Sequence, residues 1–475
     1  MVKEVKPQTS PAALGSGLKV RHLTMMGLGS TIGAGLFLGT GVGISAAGPA
    51  VLLAYLIAGG LAILVMQMLG EMGTVIPASG SFSEYAEHGI GRWAGFTQGW
   101  IYWLATVAVL GAEITGAASF IGAWFGVAPW IPAAICVAFF GVVNLLHVRI
   151  FGEFEYWFAA IKVLVLIGFL IIGALLVFGL LPGHPFVGAS VFLEDGFMPN
   201  GIGGVAAGLL AVAFAFGGIE VVAIAAAESD DPEKSLVNAV RSTITRISIF
   251  YLGSVLVITF LLPYSSVGGA SSAAESPFTM VLERAGIPGA AVFMEVIIVL
   301  ALLSAFNAQI YASSRMMHSL ATRKEAPKLF ARTNDAGVPT TAIALSVGLS
   351  TLMVVLNYLN TGWLLGFMLN AAGGSLLIVW VFIAVSQLRL RPELEKTHQL
   401  PVRMWAFPYL TWFALAIFAG IAILMLTDAS ARVQLFSAAM IFAVLVVAGT
   451  INARMRGISP TSRLPLPRRE APPAA

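Results

Sequence analysis

Gly29-Ser30-Thr31-Ile32-Gly33-Ala34-Gly35-Leu36-Phe37 interrupts an otherwise apolar run with three glycines in seven residues, and Gly39, Gly41 and Gly43 follow. Glycine lowers helix propensity and frees the backbone to leave α geometry, so the stretch predicts a helix broken partway along its length. Inside a bilayer such a break is tolerated only where it is buried in protein or lines a cavity. An occupant of that cavity would pair with the freed amides and carbonyls. The competing reading is close helix packing, because Gly29 and Gly33, Gly35 and Gly39, and Gly39 and Gly43 each stand four apart.

The rest of the chain supplies the bilayer. Of 475 residues, 58% are hydrophobic and 10% charged, against roughly 25% charged in soluble domains. Apolar runs of about 20 residues fall at 23–44, 50–72, 93–125, 130–148, 156–181, 201–227, 244–263, 290–320, 340–359, 362–387, 405–426 and 433–451. They predict an all-α membrane protein of twelve transmembrane helices. Residues 1–20 form a cytoplasmic tail without a cleavage site, 21–455 one transmembrane domain, and 456–475 a proline-rich tail expected to be disordered. Lys and Arg gather on alternate loops, with Arg284 and Arg432 as exceptions and Lys162 within a span; both termini are therefore expected in the cytoplasm of a plasma-membrane protein. The net charge of +3 is small, which argues against a nucleic-acid partner, and Cys136 is the one cysteine.

A second break lies five spans on, at Phe214-Ala215-Phe216-Gly217-Gly218-Ile219-Glu220. Short amphipathic segments with a serine in the capping position recur at 81–89 and 276–284. An odd number of spans per repeat inverts one half against the other, so the pattern predicts repeats of about 21–181 and 200–391, followed by two further helices in 404–452. Paired interrupted segments point to a transporter's binding site. Amides at half-helix starts suit a carboxylate and freed carbonyls suit an ammonium, so one zwitterion fits both breaks.

Three ionisable residues lie at membrane depth. Lys162 either snorkels to the cytoplasmic interface or releases and regains a proton during a cycle. Glu113 and Glu220 either hold substrate nitrogen or relay a proton, or else pin helices together as hydrogen-bonded carboxyls. Asn307 and Gln309 read as interhelical hydrogen-bonders. Asp231, with Pro232 behind it, reads as a helix start. There is no metal motif, no nucleotide loop and no catalytic constellation, so neither a cofactor nor an enzyme is expected.

The segments Arg21-His22-Leu23-Thr24-Met25-Met26, Ile32-Gly33-Ala34-Gly35-Leu36-Phe37, Leu69-Gly70-Glu71-Met72, Gly152-Glu153-Phe154-Glu155, Glu228-Ser229-Asp230-Asp231-Pro232-Glu233-Lys234 and Ala312-Ser313-Ser314-Arg315-Met316 resemble bacterial amino-acid permeases of the amino acid-polyamine-organocation superfamily. Ala34, Ala225-Ala226-Ala227-Glu228-Ser229 and Val385-Ser386-Gln387-Leu388-Arg389 lean the likeness toward γ-aminobutyrate permeases. The resemblance implies a LeuT-like five-plus-five inverted repeat with helices 1 and 6 broken, and uptake driven by protons. It implies that backbone at Ser30, Thr31, Gly33, Ala34 and Gly35 holds the substrate carboxylate, and that carbonyls around Phe214, Ala215 and Gly217 take the amine; read from the residues alone, the rings of Phe214 and Phe216 either cap the substrate or pack within the span. It further implies that Lys162 meets carbonyls near Gly29 and Ile32 in place of a sodium ion. The expected function is import of a small amino acid, such as γ-aminobutyrate or another neutral one, by proton symport. An exchanger without net proton flow and a nutrient sensor are the alternatives. The oligomeric state is not legible.

Overall fold

A computed structural model describes residues 14–466 apart from 16, 30, 31, 38, 268–275, 360, 361, 398 and 399. The first apolar run is divided, as its glycines predict, at non-helical Ile32 and Gly33: α1 (Val20–Gly29) precedes them, and α2 (Ala34–Phe37) and α3 (Gly39–Ala47) follow. Then come α4 (Val51–Gly73), α5 (Phe82–Gly89), α6 (Arg92–Phe125), α7 (Trp130–Leu145), α8 (Val148–Val177) and the short α9 (Ser190–Leu193). The second divided run is α10 (Gly201–Ala213), a 3-10 turn Phe214–Phe216 and α11 (Val221–Ala225). It is followed by α12 (Pro232–Arg246), a π-helical turn Ile247–Leu252, α13 (Gly253–Leu261), α14 (Pro277–Arg284) and α15 (Ala290–Thr322). The chain closes with α16 (Thr340–Tyr358), α17 (Gly362–Thr397), α18 (Tyr409–Thr427) and α19 (Ala429–Met455).

Among the described residues, eight helical stretches are long and apolar enough to cross a membrane, and Trp130–Leu145, Gly201–Ala213 and Thr340–Leu356 are shorter apolar helices. A 3-10 turn, Gly48–Ala50, with Gly48 at φ 62°, separates α3 from α4.

Helices outrun their apolar windows where charge stops the window but not the hydrogen bonding. Helix α8 begins at Val148 rather than 156, with the His147 ring accepting from Arg149 N. Helix α12 begins at Pro232 rather than 244, because Asp231 Oδ1 accepts from Lys234 N at 3.0 Å and caps it as its sequence predicts. The two short helices at 82–89 and 277–284 are present, but neither serine caps. Ser81 sits at φ 42°, and Ser276 Oγ instead donates to Phe37 O at 2.6 Å, tying α14 to the end of α2.

The glycines of the first run divide by role. A methyl group on Gly43 would come 2.8 Å from Val212, and one on Gly208 would come 2.8 Å from Ala47, so α3 and α10 pack through small residues. At Gly33 and Gly39 a methyl group would meet nothing within 4 Å. Packing explains Gly43; it does not explain Gly33.

Residues 457–466, inside the tail whose prolines predict disorder, run back along α5 and α6. Arg92 N donates to Ser462 O at 3.1 Å and Trp93 N to Pro460 O at 3.2 Å. The tail thus satisfies first-turn amides of α6 that have no intrahelical partner.

Candidate functional site

The two breaks touch. A methyl group built on Gly35 would lie 3.2 Å from Ala215 Cα, so the backbone of α2 rests on the 3-10 turn of the second break. Two neighbouring helices hold this junction. From α4, Tyr55 hydroxyl pairs with Thr40 Oγ1 at 2.7 Å, and Thr40 Oγ1 donates to Leu36 O at 2.5 Å. From the π turn, the Tyr251 ring stacks on Phe216 at 4.7 Å, while Tyr55 meets Phe216 edge-on at 6.0 Å. Phe216 is fully buried by these rings. Beyond it Gly218 takes φ 99°, and its amide donates to Glu220 Oε2 at 3.1 Å. Glu220 therefore fills an amide of its own break.

Lys162 does not snorkel. Its ammonium is buried and donates to Ser304 Oγ at 3.1 Å; Ser304 Oγ in turn donates to Glu155 Oε2 at 3.1 Å. Asn307 Nδ2 donates to the other oxygen, Glu155 Oε1, at 2.6 Å, and Asn144 Nδ2 donates to Asn307 Oδ1 at 2.8 Å. One buried polar chain thus crosses α8, α15 and α7, and Asn307 is the interhelical bonder its sequence suggests. Gln309 Oε1 has no hydrogen-bond partner among the described residues.

The depth of Lys162 follows from packing. A methyl on Gly17 would lie 3.6 Å from Val148, and one on Gly152 would lie 2.6 Å from the His22 ring, so α1 and α8 run side by side in the same direction. Arg246, whose guanidinium bonds Gly27 O near the end of α1, is a charged neighbour of Lys162, which places the ammonium beside the first break. Helix α8, Val148–Val177, puts Lys162 near mid-helix. Glu155, Glu113 and Arg246 are charged neighbours of Lys162. Glu113 Oε2 is buried with no hydrogen-bond partner among the described residues.

The remaining expected residues are distributed as follows. Gly29 ends α1, Ala34 opens α2 and Phe214 opens the 3-10 turn, with Ala215 and Phe216 inside that turn and Gly217 just past it. Ile32 is buried. Ser30 and Thr31 lie outside the described residues.

Several groups escaped sequence reasoning. Glu155 stands seven residues before Lys162, two helical turns and about 10 Å along one face; that i, i+7 spacing was the available signal. Arg246 and Arg315, grouped by sequence with the cytoplasmic charge, are instead buried in helices. Arg246 Nη1 donates to Gly27 O, two residues before the end of α1. Arg315 donates Nε and Nη2 to Glu228 Oε1 and Oε2 at 2.8 and 3.3 Å, and Tyr311 hydroxyl donates to Oε1 at 2.8 Å. Tyr311 stacks on Phe151 at 4.3 Å, and Leu18 N donates to Glu228 O at 3.1 Å. This seam gathers the residues leading into α1, α8, α15 and the segment following α11.

Two interrupted helices meeting inside an apolar bundle are the architecture of a membrane transporter. The chain belongs to the amino acid permease family, whose model matches residues 22–457. It is 61% identical to the aromatic amino acid transport protein AroP of Corynebacterium glutamicum, over 94% of this chain and 98% of that one. It is 42% identical to a gamma-aminobutyric acid permease of Bacillus subtilis, over 92% and 93% of the two chains. Among solved structures, a manganese transporter of Eremococcus coleocola superposes with a TM-score of 0.56 at 13% identity, covering 94% of this chain and 99% of that one; this likeness concerns the fold alone. The protein is thus a multi-pass membrane permease and not an enzyme.

Proposed function

We propose that this permease imports a neutral amino acid together with a proton, by alternating access around the junction of the two breaks. The observation that carries the reading is the placement of Lys162: an ammonium turned into the bundle at the depth of the first break, hydrogen-bonded through Ser304 to Glu155. A basic group there alternates between substrate-coupled charge states at low cost only if partners accompany it, and the Glu155–Ser304 pair supplies them. In this reading the substrate carboxylate lies on backbone amides from Ser30 to Gly35. The amine lies on carbonyls around Phe214, Ala215 and Gly217, Lys162 bonds carbonyls near Gly29 and Ile32 when protonated, and Glu113 or Glu220 relays the proton. Both termini are cytoplasmic.

For the substrate, the 61% relative favours an aromatic amino acid. The 42% relative keeps γ-aminobutyrate as the second reading. Uptake of labelled phenylalanine into proteoliposomes, with unlabelled phenylalanine, tyrosine, tryptophan or γ-aminobutyrate in excess, decides between them. The aromatic reading expects competition from the three aromatics and none from γ-aminobutyrate; uptake of γ-aminobutyrate but not phenylalanine would overturn it. Uptake that requires internal amino acid and ignores an imposed pH gradient would make the protein an exchanger.

A further inference from the structure

A single helical turn contacts both breaks. Arg246, the last residue of α12, donates Nη1 to Gly27 O near the end of α1. Tyr251, five residues on, stacks on Phe216, and its hydroxyl lies 3.4 Å from Ala215 O in the second break. Five residues of α-helix advance about 500°, which would leave the two side chains about 140° apart. The intervening residues are π-helical, and i→i+5 bonding brings residues five apart nearly above one another. The widened turn is therefore what lets one helix address both breaks. The chemistry suits the targets: a guanidinium complements the carbonyl end of α1, where the helix dipole is negative, and a ring with a hydroxyl can both stack on Phe216 and face a carbonyl.

We propose that the π turn Ile247–Leu252 ties the two breaks into one unit, with Arg246 and Tyr251 as positioning residues that fix the first half-helix relative to the second break. The proposal rests on the reading of the break junction as the substrate site. Two donors of Arg246, Nε and Nη2, are buried without hydrogen-bond partners among the described residues. A buried guanidinium with one hydrogen bond among the described residues would be an expensive residue if it served only packing.

The test compares Arg246→Met, Arg246→Lys, Tyr251→Leu, Tyr251→Phe and the Met/Leu double variant. Uptake is read with whichever of phenylalanine or γ-aminobutyrate the unaltered protein accepts, and amide hydrogen exchange is followed in the same preparations. Arg246→Met and Tyr251→Leu should each raise KM about tenfold, the scale of one charge-assisted bond, with a smaller change in maximal rate. Arg246→Lys and Tyr251→Phe keep a donor or the ring and should stay within about threefold. The double variant should be no worse than the worse single, because the pair acts as a unit. In exchange, Tyr251→Leu should loosen residues 20–29 and Arg246→Met should loosen 214–220, each at the break it does not touch. Multiplying KM effects, or exchange changes confined to the contacted break, would overturn the tie. If Arg246→Met does not fold, the exchange response of 20–29 to Tyr251→Leu still decides. Gly35→Val separates the two ideas: unchanged KM in that variant removes the junction as the substrate site, whatever the exchange data say about the tie.

Discussion

Gly35 lies against Ala215 so closely that a methyl group on the glycine would sit 3.2 Å from the alanine Cα. This contact joins the two helix breaks. Gly35→Ala should reduce substrate affinity severalfold, since crowding a packed backbone contact costs roughly 1–3 kcal/mol. Gly35→Val should abolish binding while the protein still purifies. Equilibrium binding to detergent-solubilised protein measures both; full affinity in the valine variant would show that the breaks tolerate separation.

The Glu228–Arg315 pair is buried on both sides, with Tyr311 completing the carboxylate's bonding. Removing one partner strands a charge and should cost about 3–5 kcal/mol. Arg315→Met should therefore lower the melting temperature strongly, and Glu228→Gln combined with it should recover part of the loss. A double variant less stable than either single would contradict the account of a paired seam.

On the loop after α15, burial raises the Glu325 carboxyl to about 7 from its ordinary 4.5, against the opposing pull of Arg323. Between these values the folded protein holds a proton that the unfolded chain has lost, so this contribution to stability is complete below about pH 4.5 and lost as pH rises through 7. Glu325→Gln stays neutral throughout. Its melting temperature relative to the unaltered protein should climb from pH 5 to pH 8 and then level off; parallel curves would remove the buried-carboxyl assignment.

Ser304 Oγ bonds both Lys162 and Glu155. Ser304→Ala should shift the pH dependence of uptake with little loss of protein yield. An unchanged pH profile would make the hydroxyl a packing group.

Much of this architecture was legible because glycine density marks a break and hydropathy marks a span. The first break, the second at Phe214–Glu220 and the cap at Asp231 are all local properties of short segments. What was not legible depends on partners remote in sequence. Ser304 and Asn307 become part of the Lys162 chain only when α15 packs beside α8. Arg246 sits two residues inside an apolar run, where charge counting assigns it to a loop, and its carbonyl partner at Gly27 is 219 residues away. The tail at 457–466 is proline-rich and reads as disordered, yet its carbonyls find the amides of Arg92 and Trp93. The serines at 81 and 276 carry the composition of caps without the bonds: Ser81 sits at φ 42°, and Ser276 Oγ is turned to donate to Phe37 O.

The central claim is that Lys162 couples a proton to transport, and the most direct measurement is amino-acid accumulation in proteoliposomes under an imposed pH gradient, inside alkaline, for the unaltered protein and Lys162→Met. The account predicts gradient-driven accumulation in the unaltered protein. In the variant it predicts binding within about tenfold of normal and no response to the gradient. Gradient-driven accumulation in Lys162→Met equal to that of the unaltered protein would contradict it.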